Sequence, residues 1–351
     1  MFVYIFLLLL CTSCGFLMDK ININDIKSKK VLGFIAFFLL FAVSAIRFEV
    51  GTDYTNTYVR TYNLVLNNVK NIRCDIGFLW LNKFLALLEA NVQWIFVITS
   101  LIINYFICKN INKNSKGMML SYYIYICSMF YFFTMNGVRQ SIAISLFYYS
   151  LIYIKDNSSI KYMITNSIGA FFHNSALIFL PLYYVLKREY KFLLKIIIII
   201  ITFLSSSIIL PYICNFLLTT KYSLYINNGA FSPLAAFNLS SIINLILFFA
   251  YEKLINKKNK EDIIYSNIHF VGIIVSLFTV ILPLALRIFM SFRYIEFLSV
   301  PNLLNKIKCK KITKNIILAF ILIFYFCYFI YGVGVQNGND VLPYKTIFGG
   351  K

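Results

Sequence analysis

Apolar runs of roughly 17–25 residues, the length a helix needs to cross a bilayer's hydrocarbon core, recur along the whole chain. They fall at about 1–18, 31–47, 92–108, 118–135, 139–154, 191–210, 238–255, 263–284, 287–305 and 315–332. The chain has 351 residues, 60% hydrophobic and 13% charged, which leaves too little polar surface to cover a soluble domain of this size. The expectation is an all-α, polytopic integral membrane protein of about 10–12 transmembrane helices, forming a single transmembrane domain over 1–351. The first 18 residues carry no basic leader, so they read as a retained span rather than a cleaved signal peptide.

The apolar stretch 161–186 has basic residues at both ends, and one crossing would put one cluster outside. Gly169, the polar His173-Asn174-Ser175 and Pro181 interrupt it. It reads as a tight hairpin of two short half-helices, a break tolerated where it lines a protein-enclosed or watery cavity. Lysine placement then sets the orientation. The segments 19–30, 109–117, 155–161, 187–195, 253–262 and 306–314 hold 22 of the 33 Lys and Arg residues, and such loops are cytoplasmic. Both termini then lie outside, with outer loops at 48–91 and 211–237 and an outer tail at 333–351. Within 48–91, the spacing of Phe78-Leu79, Leu81, Phe84-Leu85 and Leu87-Leu88 predicts an amphipathic helix on the membrane face.

The net charge of +20 is explained by these topological lysines, and no basic-aromatic module for nucleic acid is visible. The eight cysteines are scattered. Cys11 and Cys14 form a C-x-x-C inside an apolar run without partner ligands, which reads as small hydrophobes rather than a redox or metal pair. Two histidines and no clustered carboxylates argue against a zinc or two-metal site. No D-x-D and no phosphate-binding G-x-x-x-x-G-K-[ST] loop occurs, so no metal or cofactor is expected.

Arginine is distributed differently from lysine. Of the 22 cytoplasmic charges only Arg188 is arginine, whereas Arg47, Arg60, Arg73, Arg139, Arg287 and Arg293 fall on the outer side. The planar guanidinium fork suits bidentate contact with phosphate or carboxylate, although an arginine ending a span also snorkels to the interface. Arg47 opens the turn Arg47-Phe48-Glu49-Val50-Gly51-Thr52-Asp53-Tyr54, followed by Tyr58. Tyr54 and Tyr58 share a face if helical, and Asp53 either accepts a proton or pairs with Arg47. Arg139-Gln140 begins a span, where the helix N-terminus favours an anion. His173 sits at the hairpin tip, where a polar group in a membrane protein needs a partner. His269, within a span, reads as a packing residue. In 287–305, Arg287 and Tyr294 are seven apart on one face. Arg293, about 9 Å deeper at 1.5 Å per residue, either faces a cavity or is neutralised by Glu296 at i,i+3. In the tail, Pro343-Tyr344-Lys345 either folds back over the outer site or is disordered.

Taken in order, these motifs resemble the EpsG family, a group of Wzy-like bacterial polysaccharide polymerases. The matching residues are Arg47 with Gly51-Thr52-Asp53-Tyr54 and Tyr58, Arg139-Gln140 with Ala143, Phe172-His173-Asn174-Ser175-Ala176-Leu177 ending at Pro181, Arg293-Tyr294, and Pro343-Tyr344. The family's His-x-Ser-Ala is matched by His173-Asn174-Ser175-Ala176. The resemblance implies a glycosyltransferase on the outer face of the bacterial cytoplasmic membrane. It would join undecaprenyl-diphosphate-linked oligosaccharide repeat units, with membrane lipid, a flippase and a chain-length regulator as partners. In that reaction Arg47 and Arg139, with Arg293 and Arg287, would stabilise the departing diphosphate. Asp53 or His173 would be the general base. Tyr54, Tyr58, Gln140, Tyr294 and Tyr344 would bind substrate. A flippase would also use intramembrane arginines, but with charges in both membrane halves and repeat symmetry. A membrane O-acyltransferase, using a histidine and an arginine, would not need the Asp-Tyr and Pro-Tyr motifs. A ligase that moves polymer to another acceptor shares the chemistry.

Overall fold

The apolar runs become helices, and the polar interruptions between them become helix ends. The computed structural model describes residues 1–22, 25–219, 238–279 and 283–349. The helices are α1 (Phe2–Lys20), α2 (Ile26–Ala45), α3 (Arg60–Leu66), α4 (Ile76–Leu87), α5 (Gln93–Asn114), α6 (Met118–Cys127), α7 (Phe130–Asn136) and α8 (Val138–Lys155). They continue with α9 (Ser159–Phe172), α10 (Phe179–Lys187), α11 (Phe192–Leu218), α12 (Leu239–Leu254), α13 (Lys260–Ser276), α14 (Pro283–Arg293), α15 (Glu296–Lys306) and α16 (Lys311–Phe329). Among the described residues there is no strand, only an isolated antiparallel bridge between Arg47 and Thr346. The all-α expectation is met.

Among the described residues four helices, α1, α2, α5 and α16 with its extension to Val335, are long and apolar enough to cross a membrane. The count is five if α6 and α7, bent by 49°, make one span. Met129, in the left-handed region at φ 72°, interrupts that pair. Phe34, Phe38, Phe320 and Ile323 on these helices are exposed, which suits lipid as the surrounding solvent. The expected outer loop 211–237 begins inside α11, and from 220 onward it lies outside the described residues.

Where a single domain is expected, the chain divides into two compact units. The first holds Met1–Tyr153, Ser158–Leu180 and Glu296–Lys351, and the second holds Ile154–Asn157 and Pro181–Ile295. In the first unit the lysine-bearing loops are fastened to one another. The Asp19 carboxylate accepts the N–H groups of Met118 and Met119 at 2.9 and 3.0 Å. Asn302 accepts from Lys116 N at 2.7 Å and donates to Asn114 O at 3.0 Å. Halfway along, Asn104 donates to Ser44 Oγ and accepts from Tyr125. Each such interhelical bond contributes about 1 kcal/mol in lipid.

The second unit has its own buried polar contacts. Lys195 donates to Glu252 and Ser266, both at 2.7 Å. His269 Nδ1 lies 2.7 Å from Asn244 Oδ1, in keeping with a packing role.

One expected element takes a different form, and the tail takes the folded-back one of its two expected forms. The span 287–305 is two helices, α14 and α15, broken at Tyr294 and Ile295. Arg293 closes the last turn of α14 and Glu296 opens the first turn of α15. A cation at a C-terminus and an anion at an N-terminus both complement the helix dipole, so the Arg-x-x-Glu spacing marks a break rather than a ladder along one helix. The tail is ordered. Phe48 N donates to Lys345 O and Ile347 N to Ile46 O, each at 3.0 Å, and Tyr344 donates to Val43 O at 2.8 Å.

The stretch 161–186 breaks as expected. Helix α9 ends at Phe172, His173 is extended, Asn174–Ile178 form a 3₁₀ turn, and α10 follows. Tyr162 donates back to Phe179 O at 2.7 Å. The helix expected in 48–91 is α4. Its Phe78 and Leu85 are buried, and Trp80, Phe84 and Leu87 on another face are exposed, the pattern of a helix held between protein and lipid.

Helix α4 approaches α9 through Gly77. A Cβ there would lie 2.5 Å from Phe171 Cδ1 and 2.9 Å from Phe171 O. Gly77→Val should therefore push α4 off α9 and cost about 1–3 kcal/mol, as overpacking does. Thermal unfolding in detergent should show a lowered midpoint. An unchanged midpoint would mean that the two helices do not meet at this glycine.

Candidate functional site

The first unit gathers Arg47, Asp53, Tyr54, Tyr58, Arg139, Gln140, His173 and Tyr344. The turn between α7 and α8, Met135 to Arg139, is its centre. Arg47 grips this turn from below. Its guanidinium is buried, donates to Ser44 O and to Met135 O (3.1 Å), and lies 3.5 Å from Ser100 Oγ and 4.7 Å from the centre of the Phe96 ring. Tyr54 stacks on the same ring at 4.1 Å and donates to Gln93 Oε1 at 3.0 Å. Gln93 in turn donates to the carbonyls of Ala45 and Arg47. Arg47 is thus walled in by main chain and aromatics instead of facing an open site.

Tyr58 holds the turn from the other side. Its hydroxyl donates to Asn136 O and accepts Val138 N at 2.9 Å. The Asn136 side chain donates to Thr52 Oγ1 at 2.8 Å and to Asn339 O at 3.0 Å, and accepts Asp53 N at 3.1 Å. Gly51, at φ 104°, brings its backbone against this amide, where a Cβ would meet Asn136 Oδ1 at 3.1 Å. The Gly-Thr-Asp motif and the tail therefore meet on Asn136. Asp53 accepts from Thr57 at 3.4 Å, and the expected alternative pairing with Arg47 does not form. Gln140 is buried.

On top of this support stands an ionic cluster. Arg139 Nη1 donates to Asp75 Oδ2 at 2.7 Å, and His173 Nδ1 lies 3.5 Å from the same oxygen. Asp75 Oδ1 accepts Asn174 N at 3.3 Å. The side chains of Arg139, Asp75 and His173 are 26%, 12% and 19% exposed, so the cluster is reachable where Arg47 is not. Burial alone would raise the Asp75 carboxyl. The His173 hydrogen bond, the Arg139 charge and the Asn174 N–H outweigh it and hold the group below its usual value. Arg139 also leans on the Phe78 ring, 5.9 Å from its centre.

Asp75 has no place in the sequence reading. Its one local signal is an acidic residue directly before an apolar helical run, a common helix start. Its partners are 64 and 98 residues away, and only the fold brings them to it. Arg60 and Arg73 are exposed. Arg287, Arg293 and Tyr294 belong to the second unit. There Arg287 is exposed and Arg293 is buried, its guanidinium 5.5 Å from the Tyr294 ring centre. A cleft of about 690 Å³ opens beside Tyr54 in the first unit, lined by Phe48, Asn91, Gln93, Trp94 and Thr346 among others.

Among known proteins, the family described as EpsG matches residues 30–346. That range takes in the whole of the cluster and its supporting turn. No curated protein and no solved structure matches the chain.

Because the folded state holds the Asp75 carboxyl low, the ion pair stabilises fully above the unfolded carboxylate value of about 3.9. That contribution is lost as pH falls through the lower folded value. The difference in thermal midpoint between wild type and Asp75→Asn should shrink progressively as pH falls from about 5 through the lowered carboxyl value. A gap undiminished at pH 3 would show that the carboxylate charge is not what stabilises the cluster.

Proposed function

The chain belongs to the EpsG family, and from that premise we propose that it joins undecaprenyl-diphosphate-linked oligosaccharide repeat units on the outer face of the bacterial cytoplasmic membrane. A polysaccharide-polymerase type of activity follows from the family. The lipid-diphosphate donor, the side of the membrane and the roles below are our reading. The observation that carries it is the convergence of Arg139 and His173 on one carboxylate, at the N-terminus of α8.

The donor's leaving group is a lipid diphosphate, and its departure builds negative charge on phosphate oxygens. Arg139 meets that charge with two kinds of help. The α8 N-terminus adds a positive partial charge, and Arg47 lies behind the same turn with no carboxylate within ion-pair reach among the described residues. A guanidinium placed in advance stabilises a developing oxyanion without reorganisation. Arg47 acts as a prop and a source of field rather than as a ligand. His173 is the general base for the acceptor hydroxyl in preference to Asp53, which accepts from Thr57 and forms no ion pair with Arg139.

Sugars pack on aromatic faces and bond to amides. The cleft beside Tyr54, with Phe48, Trp94, Asn91 and Gln93, supplies both. Tyr58 and Tyr344 hold this wall in place through main-chain carbonyls. Apolar outer faces of the helices leave room for the polyprenyl tails in the lipid. Arg287, Arg293 and Tyr294 are proposed as further contacts to substrate, and a flippase and a chain-length regulator as partners in the same assembly.

Arg139→Ala should reduce polymer formation about 10²–10³-fold, the loss expected for a transition-state charge donor, with the protein still present in the membrane. Arg47→Ala should lower the amount of folded protein. The readout is the length distribution of surface glycan in a deletion strain carrying each variant. The polymerase reading expects single repeat units in the deletion strain. If instead no glycan is exported and lipid-linked units accumulate inside, the chain is a flippase. If Arg139→Ala makes full-length polymer, the diphosphate role fails.

A further inference from the structure

We propose that Asp75 is the positioning residue of the transfer: it fixes His173 in the tautomer whose Nε2 takes the acceptor's proton, and it holds Arg139 until the donor diphosphate replaces it. This rests on the polymerase reading above.

Asp75 stands at the N-cap of α4, where an aspartate usually accepts an N–H from its own helix. It makes no such bond. Its carboxylate turns away from the helix start toward Arg139, His173 and Asn174. A local capping role therefore does not account for it.

An ionised carboxylate only accepts hydrogen bonds. The proton in its contact with His173 must then sit on Nδ1, which leaves the lone pair of a neutral imidazole on Nε2. In the structure Nε2 is shielded from solvent and has no hydrogen-bond partner. His269 Nε2 is unpartnered too, but His269 is fully buried, whereas His173 is partly exposed beside Arg139, so the group that completes His173 can be the substrate's hydroxyl. The Nδ1 contact of 3.5 Å is long, as such contacts are before substrate arrives.

Sharing one oxygen between Arg139 and His173 also couples the two ends of the reaction. When the donor diphosphate takes Arg139, Asp75 is released to His173 alone. The acceptor hydroxyl then gives its proton to His173 Nε2, and its oxygen forms a bond to the anomeric carbon of the donor sugar. The bond from that carbon to the diphosphate breaks, with the electron pair leaving on the diphosphate oxygen facing Arg139. Asp75 stabilises the imidazolium until its proton passes to water. Among the described residues the charged and titratable groups shown here are Asp75 against His173 and, across it, Arg139 with Cys74 and Asp53 near it.

The test uses the full-length protein in lipid vesicles, with lipid-linked repeat units extracted from a polymerase-deletion strain. Asp75→Asn should lower kcat about 10²–10⁴-fold, the range for losing a base's orienting carboxylate. The donor KM should be unchanged or lower, because Arg139 is no longer occupied. The acid limb of the pH–rate profile should move to lower pH, and Asp75→Glu should recover part of kcat. A merely structural role would reduce folded protein and leave the acid limb where it is, and that result overturns the proposal. So does a kcat within threefold of wild type. Should Asp75→Asn not fold, Asp75→Glu carries the test: kcat falls with donor KM unchanged, and an unchanged kcat overturns the proposal. If wild type itself fails to extend the repeat units, it is the polymerase reading that falls.

Discussion

A guanidinium without a carboxylate partner among the described residues, buried between α2, α5 and α7, is the interaction on which this end of the first unit rests. Arg47 reaches the last turn of α2 through Ser44 O, the end of α7 through Met135 O, and α5 through Ser100 and the Phe96 ring. A buried charge with no counter-ion is costly, and carbonyl dipoles and a ring face only partly replace one. The surroundings must therefore be held firmly. The bridge from Arg47 to Thr346 brings the tail across the same place, and Gln93 ties down the carbonyls of Ala45 and Arg47. The turn that presents Arg139 is rigid because Arg47 and Tyr58 hold it from opposite sides.

Much of this was legible in the sequence, for a physical reason. Apolar length and lysine placement answer to the bilayer, which acts on each segment separately, so the helices fall close to the expected runs. The break at His173 was readable for the same reason, since a histidine, an asparagine and a serine in a row do not continue an apolar helix. The separation of arginine from lysine was readable along the chain. What each arginine does was not, because burial is a property of the packed helices. Arg47 and Arg139 look alike along the chain, yet one is sealed behind Phe96 and the other is open.

Asp75 was invisible for the opposite reason. Nothing within a few residues of it distinguishes it from a surface acid at a helix start. Its meaning comes from Gly77, which lets α4 approach Phe171 closely enough for Asp75 to reach His173. The break at Tyr294 was missed because Arg293 and Glu296 fit both readings at three residues' spacing. Helix ends, like helix faces, attract opposite charges.

The pairing of Arg139 with Asp75 also resolves a conflict between stability and readiness. On the proposed function a site for a diphosphate needs positive charge, and Arg47, Arg139 and the start of α8 would supply it together. Left uncompensated in a low-dielectric setting, that charge would work against folding. Asp75 provides the compensating anion from a side chain that is itself partly exposed. On the function proposed above, exchanging one anion for another at Arg139 would keep the local charge balanced, so that the site could bind a diphosphate without being unstable in its absence. The long contact to His173 fits the same arrangement: the carboxylate sits closer to the cation it neutralises than to the histidine proposed as the base.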